Sequence, residues 1–562
     1  MRRRLLACIA SAVLLPAATA GSAAADGPSV QAIGQQAASQ QSASSSATST
    51  QVAPSNTNVS VRIGSPGDGG AVTQTNSSSA ASAAGNANDL VQQAEQTAAD
   101  AGVQSVDQAA ANQQSADSAA TSTQVHPQNQ NISVRIMSPG DDGSVTQTND
   151  SSATSAAGND NKTDQSAGQS GAGSGGVEHV GQKASSDQGA SSEATSEQKH
   201  PSNVNVPVRI FSPGDDGDVT QTNSSSAKSA AGNGNATKQK SAQQDSGGGP
   251  SVQDAEQKAS NEQSADSSAS AKQVGASNVN APVRIYSPGD DGSVTQTNSS
   301  SAKSAAGNAN ATDQSAEQSA GGYGDLTVQA IGQKAQSAQD ASSDASSEQL
   351  APSNSSSPVR IGSPGGGGDV TQTNSSSAVS AAGNANRTSQ DAAQDAGPSE
   401  PVVVREDSGR PVTVQAMGQW ADNDQSADSS ADSTQKEARN ANSPVRIKSR
   451  GDDGSVDQSN SSSAKSAAGN LNATDQSTEQ EADALSDVLV QAIGQKAGND
   501  QDASSDAYSE QIAPSNANEP VAVVSPGDGG VVEQSNDSWA ASAAGNRNAT
   551  CQRAKERTRT VQ

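Results

Sequence analysis

Side chains of one chemical class recur at every second position over stretches of about twenty residues, and few folds tolerate that. Gln329, Ile331, Gln333, Ala335, Ser337, Gln339, Ala341, Ser343, Ala345, Ser347 and Gln349 share one alternation class. Lys334, Asp340, Asp344 and Glu348 all fall on the other. The stretch 491–511 repeats the code, with Lys496, Asp500, Asp502, Asp506 and Glu510 on the intervening positions. A second version runs Val219, Gln221, Asn223, Ser225, Ala227, Ser229, Ala231, Asn233, Asn235, Thr237, Gln239, with Lys228 and Lys238 between. Strands send successive side chains to opposite faces, whereas a helix would scatter these charges around a 3.6-residue cycle. The pattern therefore predicts β structure, although Ala and Gln are good helix formers. One class faces a narrow interior of Ala, Ser, Gln and Asn; the other faces water.

The code belongs to a larger repeat. The motif V-R-I-x-S-P-G recurs around Ser65, Ser138, Ser212, Ser287 and Ser363, with variants around Ser449 and Ser525. The spacings are 73, 74, 75, 76, 86 and 76 residues, so seven units of about 75 residues organise the chain. Each unit has a first arm, a short apolar strand such as 203–210, a turn such as 212–217 and a second arm. The division expected is 26–102, 103–176, 177–250, 251–326, 327–398, an insert at 399–411, then 412–488, 489–552 and a basic tail at 553–562. A single 21-residue strand would be about 70 Å long, so each arm is expected to bend midway as strand, arc, strand. Pro207 should favour an edge or an open position, and Pro213-Gly214 suits a type II turn.

Composition narrows the function. Hydrophobic residues make up 30% of the chain, and one Phe, two Trp and three Tyr cannot furnish several large cores. That argues against a large α/β enzyme. Three His and two Cys leave little for metal or nucleophile chemistry, and no HExxH, P-loop Gly-Lys or Cys pair occurs. The formal charge of -27 lacks the basic footprint of a nucleic-acid binder. No catalytic, cofactor-binding or metal residue is assigned, and no enzymatic activity is expected.

Residues 1–25 read as a secretory signal peptide. Arg2, Arg3 and Arg4 precede a short apolar run, and Ala18-Thr19-Ala20 and Ala23-Ala24-Ala25 are small-residue cleavage sites. Its removal would take Cys8 away, leave no membrane span, and keep Cys551 as the one thiol, so no internal disulfide framework is expected.

An interior of Ala and Ser returns little hydrophobic energy against the cost of ordering the chain, about 1–2 kcal/mol per residue. Continuous backbone ladders and stacked amides must compensate, as in cross-β packing. The alternative left open is an acidic, largely disordered repeat chain. Gln and Asn at alternate positions with small residues between resemble the repeats of curlins, the secreted amyloid subunits of bacterial biofilms. The short N-V-x-V-P-V strand resembles chaplin-type surface proteins over eight residues. These resemblances imply an extracellular fibrous or surface-coating role and carry over no binding residue.

Several features invite chemistry. The Pro-Gly-Asp-Asp-Gly turns, with Asp141-Asp142 and Asp290-Asp291, could offer carboxylates to calcium, but are commonly turn formers. Thr-x-Thr pairs, Thr73/Thr75 through Thr371/Thr373, resemble ice-binding ladders, yet with several rungs per 75 residues they would be too sparse. Phe211, Tyr286, Trp420, His126 and His200 stand at variable surface positions. Asn223 and Asn472 lie in Asn-x-Ser/Thr triplets. The reading is an all-β, repetitive β-solenoid or β-arc array. Its expected role is a secreted structural protein of the bacterial surface or matrix, with itself or surface polymers as partners. An acidic spacer, or an ice- or ligand-binding solenoid, is the alternative.

Overall fold

The computed structural model describes residues 29–98, 102–172, 175–321, 326–397, 412–483 and 488–559. The expected signal peptide and the insert 399–411 lie outside them. The chain winds seven times, and each turn of the winding is one repeat. The first arms form one parallel sheet of seven strands: Ser29–Val52, Gly102–Val125, Gly176–Lys199, Ser251–Val274, Leu326–Leu350, Val412–Lys436 and Val488–Ile512. The second arms form another: Val72–Ala98, Val145–Gly171, Val219–Asp245, Val294–Ala320, Val370–Ala396, Val456–Asp483 and Val532–Arg559. Short strands such as Ser202–Ile210 stack into a third sheet at one end. The fold is a parallel β-solenoid, and the disordered alternative is set aside.

The two long sheets lie face to face, with the arms of one coil running in opposite directions. Gln31 Nε2 donates to the Thr97 carbonyl at 3.4 Å, Gln35 to Gln93 at 2.8 Å and Gln41 to Ala87 at 3.1 Å. The inward class is the one the sequence assigns. Columns of alanine, among them Ala80, Ala153, Ala227, Ala302 and Ala378 against Ala120, Ala194 and Ala269, form the apolar seam.

Polar columns fill the rest. Many of the buried Gln donate twice, once along the stack and once across it: Gln333 reaches Gln257 Oε1 at 2.9 Å and the Asp391 carbonyl at 2.9 Å. Two asparagine columns interlock near the short strand, where Asn203 donates to Asn223 at 3.1 Å and to Asn278 at 2.9 Å. Amides stacked in this way satisfy groups whose burial would otherwise be costly.

Several expectations change. The arms do not bend: the long strands run 24 to 28 residues unbroken. No positive-φ residue falls inside them. A strand between two parallel neighbours gains a ladder at every residue, so no local element has to end it. Repeat and rung are also the same thing. Ser29 pairs with Gly102, and Val52 with Val125, one whole repeat away. Each coil thus adds one rung of about 4.8 Å, and the slab is about 80 Å long by 30 Å high. Residues 553–559, set apart above as a tail, continue the last strand.

Pro207 does not sit at an edge. Its strand lies in the middle of the short-strand sheet. Where Pro282, Pro358, Pro444 and Pro520 occupy the same place, the short strand divides in two, as in Ser277–Asn280 and Val283–Ile285. The missing N–H interrupts the ladder for one step without ending the stack.

Candidate functional site

The Pro-Gly-Asp-Asp-Gly segment is not a type II turn. Gly214 has φ of 133°, and its N–H bonds the Pro288 carbonyl of the next coil at 3.0 Å rather than closing a turn of its own. A Cβ there would run into the Gly140 carbonyl of the coil before, so glycine is required by φ and by space.

Both carboxylates of the segment are engaged. The first of each pair holds the stack: Asp141 Oδ1 accepts the Asp215 N–H at 2.8 Å, and Asp215 Oδ1 the Asp290 N–H at 2.8 Å. The second turns inward against the arginine of V-R-I. Arg135 Nε meets Asp142 at 2.6 Å. Arg209 contacts Asp142 at 3.0 Å and Asp216 at 2.7 Å. Arg284 reaches Asp216 and Asp291, both at 2.9 Å, and Arg360 reaches Asp291 at 2.7 Å. Remaining guanidinium protons go to carbonyls, as from Arg209 Nη2 to Asp215 at 2.6 Å. Arg135, Arg209 and Arg284 are at most 1% exposed.

The result is a charged column that alternates along the stack. Burial pushes the Asp216 carboxyl up to about 6, against the pull of Arg284 and Arg209. Beside this column runs a channel of about 320 Å³, lined by the short-strand asparagines and prolines and by the column Val72 to Val456. Ser356 stands where other coils carry Asn, and its Oγ and the Asn442 Oδ1 above it lack partners. The pairs raised as calcium ligands thus spend their oxygens on guanidinium and amide groups.

The Thr-x-Thr pairs lie on the outward face of the second sheet, as expected, but their spacing differs from expectation. Thr73, Thr146, Thr220, Thr295 and Thr371 are in register on successive rungs, and so are Thr75, Thr148, Thr222, Thr297 and Thr373. The last two coils carry Asp457/Ser459 and Glu533/Ser535 there. The lattice measures about 4.8 Å along the stack and about 6.6 Å along the strand.

Corners were not legible. They fall mostly on non-glycine residues with φ near 50°, His126 and His200 at one corner, Met137, Phe211 and Tyr286 at the next, while Gly275, Gly64 and Gly362 take the same places in other coils. The aromatics at these corners stack coil on coil, His126 on His200 at 5.1 Å and Phe211 on Tyr286 at 5.4 Å. Trp420 lies between Lys334 at 4.4 Å and Lys496 at 4.8 Å. Asn223 and Asn472 point inward and are fully buried, so the folded coil hides both acceptor triplets. Cys551 is a half-buried free thiol.

Among the described residues, two carboxylates break the otherwise neutral interior between the long sheets. Glu178 and Asp245 are both buried. Burial, with the Asp245 charge, holds Glu178 up at about 7 against the hydrogen bond from Gln253. No group of three or more His, Cys, Asp or Glu is arranged around one point among the described residues. No family model, curated protein or solved structure matches this chain.

Proposed function

We propose that the protein is a secreted structural component of the bacterial surface or extracellular matrix, and that it polymerises by stacking end on end. The observation that carries the reading is the pair of open ends. Among the described residues, the strands of the first and last coils are the outermost of their sheets, with one backbone edge unpaired. Such edges template pairing with another chain.

The two ends also match. Gln31, Ile33, Gln35, Ala37, Gln41, Ala43, Ala47 and Gln51 of the first coil correspond to Gln491, Ile493, Gln495, Ala497, Gln501, Ala503, Ala507 and Gln511 of the last. The Gln ladder has a direction: Gln501 Nε2 donates to Gln425 Oε1 at 2.6 Å, which leaves Gln501 Oε1 for an incoming donor. The Asn ladder runs oppositely, from Asn460 to Asn536 Oδ1 at 2.8 Å. A last coil therefore suits a first coil and no other end, which gives a polar, heterologous fibre.

Charge agrees with that order. The arm Ser29–Val52 has no charged residue, while Val488–Ile512 carries Lys496, Asp500, Asp502, Asp506 and Glu510. A joint of unlike ends avoids stacking acid on acid. The resemblance to curlins and the expected signal peptide support the compartment.

The test is Ser42→Asp with Ser46→Asp. Both residues are exposed on the first coil and would oppose Asp502 and Asp506 of the preceding copy. Wild type should form unbranched fibres with a repeat near 4.8 Å along the axis. The double variant should elongate at least tenfold more slowly, and salt should restore it. A chain that stays monomeric at high concentration would sink the reading. A second reading, ice or ordered-surface binding, draws on the in-register threonine lattice; thermal hysteresis abolished by Thr220→Lys and Thr222→Lys is its measurement.

A further inference from the structure

The neutral interior between the long sheets is interrupted at one place. Among the described residues, Glu178 and Asp245 are its buried carboxylates, at 4% and 5% exposure. They belong to the same coil, one at the start of its first arm and one at the end of its second. The ladders do not need them. Position 178 is in register with Gln104 and Gln253. Position 245 is in register with Gly171 and Ala320.

The surroundings supply two neutral hydrogen-bond donors and, among the described residues, no cation. Gln253 Nε2 donates to Glu178 Oε2 at 2.9 Å, and the Gly247 N–H donates to Asp245 Oδ1 at 2.9 Å. Among the described residues neither carboxylate has an ion-pair partner. His179, next in sequence, points outward to Asp107 and Asp254. Gln104 Oε1, buried and facing position 178, has no donor, because the residue that would supply an amide N–H is a glutamate. Every other step of that column from Gln253 upward is closed, as from Gln329 to Gln253 at 2.9 Å.

The space is built as well. The position a Cβ of Gly171 would take lies 3.2 Å from Glu178 Oε1 and 3.5 Å from Asp245 Oδ1. The first and fourth coils fill the equivalent place with Ala98 and Ala320. Gln104, Gly171, Glu178 and Asp245 line one small cavity at the corner where the coil closes.

We propose that Glu178, Asp245 and the Gln104 carbonyl oxygen bind a divalent cation, and that calcium is the ion they suit. The donors are all oxygen, two of them anionic, which is the preference of a hard cation. One proton could answer one of the three acceptors; a cation answers all of them and neutralises the buried pair. The cavity is about 10 Å³, room for the ion but not for a shell of waters, so both oxygens of each carboxylate would have to serve toward the six to eight that calcium takes.

Titration of the full chain with calcium chloride at pH 7.5, followed by calorimetry and by thermal melting, tests this. Wild type should bind one calcium per chain with a dissociation constant at or below about 1 mM, and its melting point should rise. Glu178→Gln and Asp245→Ala introduce the residues that adjacent coils already carry, so both variants should keep the β spectrum. Each should weaken that site at least tenfold, and Gly171→Ala, which fills the space, should weaken it too. Binding isotherms of wild type and Glu178→Gln that superimpose would overturn the proposal. So would a wild type with no stoichiometric site at millimolar calcium; a Glu178→Gln variant that melts higher without any change in calcium binding would instead identify a proton as the occupant.

Discussion

A single methyl group separates tolerated from forbidden glycines in this stack. Gly189 lies in a long strand with open space around its Cα, whereas Gly214 combines a φ of 133° with a carbonyl of the previous coil in the way. Gly189→Ala should leave the melting point within error. Gly214→Ala should cost about 1–3 kcal/mol or more, read by thermal or denaturant unfolding. Amides behave as sharply. Gln333 donates to Gln257 and Asp391 and accepts from Gln419 at 2.8 Å. Gln333→Leu would leave three buried polar groups without it, and should destabilise by about 1–3 kcal/mol despite its larger apolar side chain.

Columns of like residues make the strand the unit of electrostatics. Burial raises Asp340, Asp344 and Asp391, and so do acids on neighbouring strands: Asp266, Asp428 and Asp424 for the first, Asp432 and Asp266 for the second, Asp313 and Asp475 for the third. A carboxyl raised in the folded state contributes stability that is present at low pH and lost as pH rises. Asp216, raised from 3.8 to about 6, places part of that window between those values. The melting point should therefore rise as pH falls from 7 toward 5, and added salt should flatten the trend; a monotonic fall with acid would contradict it. Parity along the arms was legible because side chains alternate strictly: Gln333, Ala335 and Gln339 face inward as the sequence requires. Strand length was not, since parity says which face a residue takes and nothing about where a ladder ends. The corners at Met137, Phe211 and Tyr286 escaped notice because their φ is imposed by the stack, not by residue type. The Arg209–Asp142 contact joins residues 67 apart, so neither partner's neighbours announce it.

At the scale of the molecule, nearly all cohesion is long-range in sequence. Ladder partners stand 73 to 86 residues apart, as for Gln108 with Gln35 and Gln415 with Gln329. Closing such loops before any contact rewards them makes folding slow. Refolding from denaturant should take seconds or longer, and nuclei should be coil pairs rather than single arms, because one coil alone has no ladder. Pulse-labelled hydrogen exchange would show whole adjacent coils gaining protection together. The step from the fifth coil to the sixth spans 86 residues where the others span 73 to 76, yet Asn354 still meets Asn440 at 2.9 Å and Gln390 receives Gln476 at 2.7 Å. Register is thus indifferent to how much chain passes between one rung and the next. For a gene made of near-identical units, recombination that gains or loses one repeat yields a taller or shorter slab with the same two ends. Copy number can drift between lineages while the surface each rung presents stays the same, and height becomes a heritable quantity separable from fold.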